Sequence, residues 1–277
     1  MSATLVLHRP FDPAPALHSL VVHAVPGVET VDGDTVRRAV RLRSGPALVE
    51  ATLEPDHITV RSTAGSENEL ASLAGSWFGL EDDLGTVLDL FGDDEILGPL
   101  VRARPRLRIL GHPDGFEAAV STVLGQQVSL AAARTFGGRL AAAYGTPGPG
   151  GLTLYPTPER LAAVDPVELQ DVVRITHARA RTVHALARAC ADGLSLAAGG
   201  EDVRRRLLAL PGIGPWTVDY LALRVLGDRD AMPVGDLVLR RALDLRTVAD
   251  VTRLAERWRP LRAFAAVHLW TSRASAL

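Results

Sequence analysis

The sequence predicts an α+β fold. An N-terminal antiparallel-sheet domain with helices is followed by two all-helical lobes, which carry a hairpin of two helices. Three observations lead there. Apolar and polar residues alternate with period two through Thr35–Arg43, Pro46–Leu53 and His57–Ser62, with turn residues between the runs. From about Glu81 to the end, the apolar spacing is helical instead. Within that helical part, Leu210-Pro211-Gly212-Ile213-Gly214-Pro215-Trp216-Thr217 is a Pro-Gly-x-Gly turn set between two helical patterns. The expected boundaries are an α+β domain over residues 1–80 and a helical region over 81–277, with the helical hairpin at about 202–226.

Taken in order, Ala3–Arg9 reads as a strand and Pro15–Ala24 as a helix by spacing. The three alternating runs are antiparallel strands, and a helix follows around Glu67–Phe78. The helical part then divides into Asp82–Phe91, Asp94–Val101, Gly115–Leu124, Leu130–Tyr144, Pro158–Ala163, Pro166–Val172 and His177–Asp192. Asp202–Leu208, Pro215–Leu226, Asp236–Leu243, Val248–Trp258 and Pro260–Ser272 complete it. Thr157 before Pro158 and Asp165 before Pro166 are N-cap and first-turn proline signals. The glycine-rich stretch Gly145–Gly151 is expected to split the helical part into its two lobes.

With 277 residues and 47% hydrophobic content, the chain can bury a sizeable core in two domains. No apolar run reaches the length of a membrane span, and the segment Met1–Thr4 opens no signal peptide. Cys190 is the single cysteine, which excludes an intramolecular disulfide and a cysteine-cluster metal site. It is expected to pack inertly, and a cytoplasmic location is the natural expectation. The net charge of −2 hides an asymmetry. The first 100 residues carry 6 Arg and 16 acidic residues, whereas the remaining 177 carry 24 Arg and 16 acidic residues. The basic part holds the glycine turn, which suits a phosphate-facing surface as well as a solvated one. All 30 basic residues are Arg. Without lysine, Schiff-base chemistry on a lysine amine is unavailable.

The chemistry is expected around the turn. N–H groups near Gly212, Gly214 and Thr217 point outward where the second helix opens, and one phosphate fits there without a charged side chain. The carbonyls of Leu208, Leu210 and Ile213 face the other way, as ligands for a structural Na+ or K+. An ordinary glycine-capped helical hairpin has the same sequence signature. Trp216 and Tyr220 are four apart and share a helix face, either as core or as a stacking platform for a base; Trp270 joins them from the last helix. Asp236, after Pro233-Val234-Gly235, sits at a helix N-cap. A capping carboxylate is held ionised by the helix N-terminus, and an anion fixed in a cleft stabilises developing positive charge. Asp219 and His268 read as structural.

Together, Leu210–Thr217, Tyr220 and Gly235-Asp236 resemble the helix-hairpin-helix superfamily of DNA glycosylases, in particular the AlkA-type 3-methyladenine glycosylases. Phe116-Glu117 with Leu124–Ser129, Tyr155–Leu161, and Trp258-Arg259-Pro260 through His268-Leu269-Trp270 match further motifs of that family. The strand-rich first third resembles its extra N-terminal domain, so the resemblance covers essentially the whole chain. It implies that Asp236 is the catalytic aspartate and that Trp216, Tyr220 and Trp270 line the base pocket. Gly212, Gly214 and Thr217 would anchor the DNA backbone, with Gln127 at the place of the inserted wedge. Gln127 is polar where the wedge is commonly bulky and apolar, and Leu237 stands where an aromatic can follow the aspartate. Bifunctional relatives carry a lysine where this chain has Trp216. The resemblance thus implies a monomeric, monofunctional glycosylase acting on alkylated bases in double-stranded DNA, with no cofactor for catalysis. A non-catalytic damage-recognition protein on the same scaffold is the alternative.

Overall fold

The computed structural model describes residues 2–197 and 199–274. The N-terminal domain is a five-stranded antiparallel sheet in the order β1-β5-β4-β3-β2. Its strands are β1 (Ala3–His8), β2 (Glu29–Asp32), β3 (Thr35–Leu42), β4 (Gly45–Leu53) and β5 (His57–Ser62). Helices α1 (Pro13–His23) and α2 (Glu67–Phe78) accompany it. Ser66 and Glu69 close α2 with reciprocal side-chain-to-backbone bonds, a capping box. Leu70, Ala74, Trp77 and Phe78 of α2 and Phe11 pack into one core with Val49, Ala51, Leu53, Ile58 and Val60 of β4 and β5. Strand β2 was not foreseen, because four residues are too few to show a period against their neighbours.

The helical part runs through α3 (Leu84–Phe91), α4 (Gly98–Ala103), α5 (Gly115–Gly125), α6 (Leu130–Tyr144), the short strands β6 (Thr146–Pro147) and β7 (Thr153–Leu154), α7 (Pro158–Ala162), α8 (Pro166–Val173) and α9 (His177–Ala191). It ends with α10 (Glu201–Leu208), α11 (Pro215–Arg224), α12 (Leu237–Ala242), α13 (Val248–Ala255) and α14 (Arg262–Ala274). Thr157 and Asp165 cap α7 and α8 as their sequences announce, accepting from the backbones of Arg160 and Val167. Helix α4 starts later than its spacing suggests. The Asp94 carboxylate accepts from the N–H groups of Ile96 and Leu97 and from Trp258 Nε1, holding that stretch as a turn.

The lobes divide elsewhere than at Gly145–Gly151. One core runs across that stretch, from Phe116 and Tyr144 to Tyr155, Val183 and Leu221. The second core joins Val87, Phe91, Leu97 and Ile109 to Ala222, Leu223, Leu239, Phe264 and Leu269. Chain segments 25 to 47 residues after the sheet therefore fold back onto the C-terminal helices. The glycine-rich stretch instead makes the β6–β7 ladder, which leans on the N-terminal domain: Thr153 N–H donates to Gly27 O at 2.7 Å. Helix α11 belongs to both lobes, since Val218 and Leu221 face one core and Ala222 and Leu223 the other. That places it between the two cores.

A buried ion cluster ties the sheet to the first lobe. Arg38 of β3 donates to Glu29 Oε2 at 2.7 Å and to Glu117 Oε2 of α5. All three residues are buried. Burial pushes the Glu117 carboxyl up to about 7, against the pull of Arg38. A carboxyl raised in the folded state binds its proton more tightly there than in the unfolded chain. Its contribution to stability is full below about pH 4.5 and is lost as pH rises through about 7. In Glu117→Gln the dependence disappears. Relative to the wild type, the variant should gain stability between pH 5 and pH 8, as read by thermal melts at the two pH values. A gap between the proteins that stays constant with pH would contradict this. The free cysteine, Cys190, packs against the first core, and burial raises its thiol to about 11, as inert packing requires.

Candidate active site

The hairpin turn is built by steric necessity. Gly212 has φ of 79°, and a Cβ there would lie 2.1 Å from Thr182 Oγ1 on α9. Only glycine allows both the left-handed backbone and this approach. Gly214 forms the N-cap of α11 without a side-chain cap, and Pro215 has no N–H to donate. Among the described residues, the N–H groups of Gly212, Gly214, Trp216 and Thr217 reach no backbone or side-chain acceptor. Unpaired N–H groups at the positive end of a helix dipole are the kind of donor an anion can accept from. On the carbonyl side, Leu210 O accepts from Ile213 N–H at 3.2 Å.

Asp236 caps α12, as its sequence position suggests, but it does more than cap. Its Oδ1 accepts from Val238 N–H at 2.9 Å, Leu239 N–H at 3.0 Å and Trp270 Nε1 at 3.1 Å. Its Oδ2 accepts from Trp216 Nε1 at 3.0 Å. Two indoles and two backbone amides from three helices thus fix one half-buried carboxylate, while Oδ2, bonded only to Trp216 among the described residues, keeps acceptor capacity. Trp216, Tyr220, Trp270 and Asp236 are grouped in the sequence only by the family resemblance. The structure brings them together.

Trp216 and Tyr220 lie against each other, ring centroids 5.3 Å apart and planes 20° from parallel. The gap between them is closed, so a base would meet their outward surfaces rather than slip between the two rings. Trp270 is tilted against Tyr220 at 5.9 Å. The guanidinium of Arg224 sits 5.7 Å from the Tyr220 centroid and 5.6 Å from that of Trp270. It follows Tyr220 by one more helical turn and donates to Leu110 O at 2.8 Å. Its role was legible only as the third member of a Trp216–Tyr220–Arg224 series spaced by four.

Gln127 is exposed, at φ of 56°, in the loop between α5 and α6. Sequence reading passed over its neighbour Gln126, whose side chain bonds the hairpin turn. Asp219 and His268 stay apart from the carboxylate. Asp219 pairs with Arg204 at 2.5 Å, and His268 is buried, which lowers it to about 4. Leu237 is half exposed beside Asp236.

The model of the HhH-GPD superfamily of base excision DNA repair proteins matches residues 120–262, the span that holds the hairpin and Asp236. The chain belongs to this superfamily. The AlkA N-terminal domain model matches residues 2–114, so it takes in α3 and α4, which pack with the C-terminal lobe. Family members resemble the chain along nearly its whole length. Escherichia coli DNA-3-methyladenine glycosylase 2 is 32% identical over 281 residues, covering 96% of each protein. A probable bifunctional transcriptional activator/DNA repair enzyme AlkA of Mycobacterium tuberculosis is 38% identical over 286 residues. That match covers 98% of this chain and 57% of the relative, so the chain spans little more than half of that protein. A 3-methyladenine DNA glycosylase from Archaeoglobus fulgidus superposes with a TM-score of 0.83 at 20% identity, covering 97% of both chains. This likeness shows the shared fold of the family.

Proposed function

We propose that the chain is a monofunctional DNA glycosylase that hydrolyses the N-glycosidic bond of alkylated purines, of the 3-methyladenine and 7-methylguanine type, in double-stranded DNA. The observation that carries this reading is the Asp236 carboxylate, held by Trp216 and Trp270 beside the start of α11, whose first N–H groups have no acceptor among the described residues. Methylation at N3 or N7 puts a positive charge on the purine. The base then leaves with the glycosidic electron pair as a neutral molecule, and needs no strong general acid. The sugar becomes oxocarbenium-like, and the fixed carboxylate stabilises that charge. Water adds to the sugar carbon and gives up a proton, leaving an abasic site. The base must leave the helix to reach the aromatic cluster, so the nucleotide is flipped out. Tyr220 and the outward faces of Trp216 and Trp270 receive it.

The strand stays intact in this scheme. Trp216 holds the carboxylate where a Schiff-base lysine would have to stand, and the sequence has no lysine. No catalytic cofactor is needed, and the protein acts as a monomer in the cytoplasm. The hairpin also suits a structural monovalent cation. Among the described residues no backbone N–H is bonded to the carbonyls of Leu208 or Ile213, and Leu210 O is engaged by only one. Carbonyl oxygens are the hard donors such an ion takes, and its charge would lie close to the proposed phosphate contact.

The two indoles give the first test of the site's architecture. Trp270→Phe keeps a ring but removes one donor from Asp236. A charge-assisted hydrogen bond contributes roughly 1.5–3 kcal/mol, so single-turnover excision should slow by about 10- to 100-fold. An unchanged rate would contradict the positioning role. The function itself is tested by incubating the protein with methylated duplex DNA and separating the released bases by chromatography. Free 3-methyladenine is expected. Tight binding to the same DNA without base release would instead support a non-catalytic damage-recognition protein.

A further inference from the structure

Gln126 joins two surfaces that are far apart in sequence. Its Nε2 donates to Gly212 O at 3.1 Å and to Thr217 Oγ1 at 3.2 Å, both on the hairpin. Its own carbonyl accepts from Arg179 Nη2 on α9. Its N–H donates to Val123 O at 3.3 Å, ending α5. The same helix α9 presses Thr182 against Gly212 one turn further along. The loop, the hairpin and α9 are therefore tied pairwise into a triangle, with Gln126 at two of its three joints. On the far side, Ser129 caps α6 by accepting from Ala132 N–H at 3.2 Å. Between these anchors Gln127 is held outward in the left-handed region, which a non-glycine residue rarely adopts unaided.

We propose that Gln126 is a positioning residue that fixes the wedge residue Gln127 at a set distance from the phosphate-binding turn. This rests on the reading of the hairpin and Gln127 as the DNA-contacting elements. Eversion of a base needs two simultaneous contacts, one holding the backbone and one filling the vacated stack. If the two move independently, the wedge is not delivered where the backbone is gripped. A rigid joint between them makes phosphate binding and insertion one event. The polar Gln127 has less apolar surface for forcing bases apart than a bulky wedge. Fixed placement then matters more for it.

The test uses the whole protein and a duplex in which 2-aminopurine lies opposite a tetrahydrofuran abasic analogue, so that insertion is read without any excision. Wild type should raise the fluorescence as the neighbouring stack is opened. Gln126→Met keeps length and bulk but removes both donated bonds. At saturating protein its fluorescence rise should be largely lost while the melting temperature of the protein stays near the wild-type value. In parallel, an oligonucleotide methylated with dimethyl sulfate is presented single-stranded or annealed to its complement. The duplex-to-single-strand ratio of base release should drop about tenfold, the size expected for losing two neutral hydrogen bonds. Arg179→Met, which frees the Gln126 carbonyl from α9, should shift both readouts in the same direction and serves if Gln126→Met does not fold. A full fluorescence rise in the folded variants, or equal losses on single-stranded and duplex DNA, would overturn the proposal. So would a wild type that produces no rise. A wild type that opens the stack but releases no base would leave the strut in place and count against the glycosylase reading alone.

Discussion

Asp236→Asn is expected to slow base release by about 10³-fold while leaving affinity for abasic DNA close to that of the wild type. The side chain keeps its size, so packing between α11, α12 and α14 is retained. The charge is gone, and the hydrogen bonds can no longer all be made. The carbonyl of the new amide can serve the three donors now on Oδ1, namely Val238, Leu239 and Trp270. Its NH2 group must then face Trp216 Nε1, donor against donor. Loss of one preorganised electrostatic group commonly costs about 10²- to 10³-fold in rate. On the proposed function the group lost is the carboxylate that stabilises the reacting sugar, so the loss should lie at the upper end. Single-turnover excision and titration of abasic duplex measure the two halves of this result. Turnover near the wild-type rate would remove Asp236 from the chemistry.

Arg38→Met should cost more stability than the substitutions around Asp236. It removes the one cation between Glu29 and Glu117, both buried. Truncating one member of a buried ion pair strands the remaining charge and costs about 3–5 kcal/mol. For a chain of this size, that corresponds to a fall in melting temperature on the order of 10 °C. Adding Glu117→Gln removes one of the two stranded carboxyls and should recover a substantial part of the loss. Non-additivity of this kind is the signature of groups acting as one network. A single variant that melts within a few degrees of the wild type would show that the cluster relaxes or admits water. Helix α5 carries Glu117 and runs directly into Gln126 and Gln127, so the cluster also anchors the helix that presents the wedge loop.

Much of this was legible in sequence where the cause is local. Thr157 and Asp165 announce α7 and α8 within three residues, and the periods of β3, β4 and β5 are long enough to read. Asp236 was visible as a cap, and Trp216 and Tyr220 as a pair on one helix face. What escaped the reading depends on residues distant along the chain. The Asp236 carboxylate is held by indoles 20 and 34 positions away. Arg38 meets Glu117 across 79 positions. Gln126 meets Thr217 across 91, and nothing in its immediate neighbourhood marks it out from Gln127. The division of the lobes was misplaced for the same reason. A run of glycines signals a break in helix, but which core each flanking helix joins is decided by packing, and α11 joins both.

On the proposed function, the protein removes the base and leaves the strand intact. This is tested most directly by counting strand breaks in end-labelled methylated duplex after incubation with the protein, before and after alkali, beside the amount of free base released. Released bases should equal the alkali-dependent breaks one for one, with no breaks above background before alkali. Breaks that appear without alkali, or no base release at all, would contradict the account.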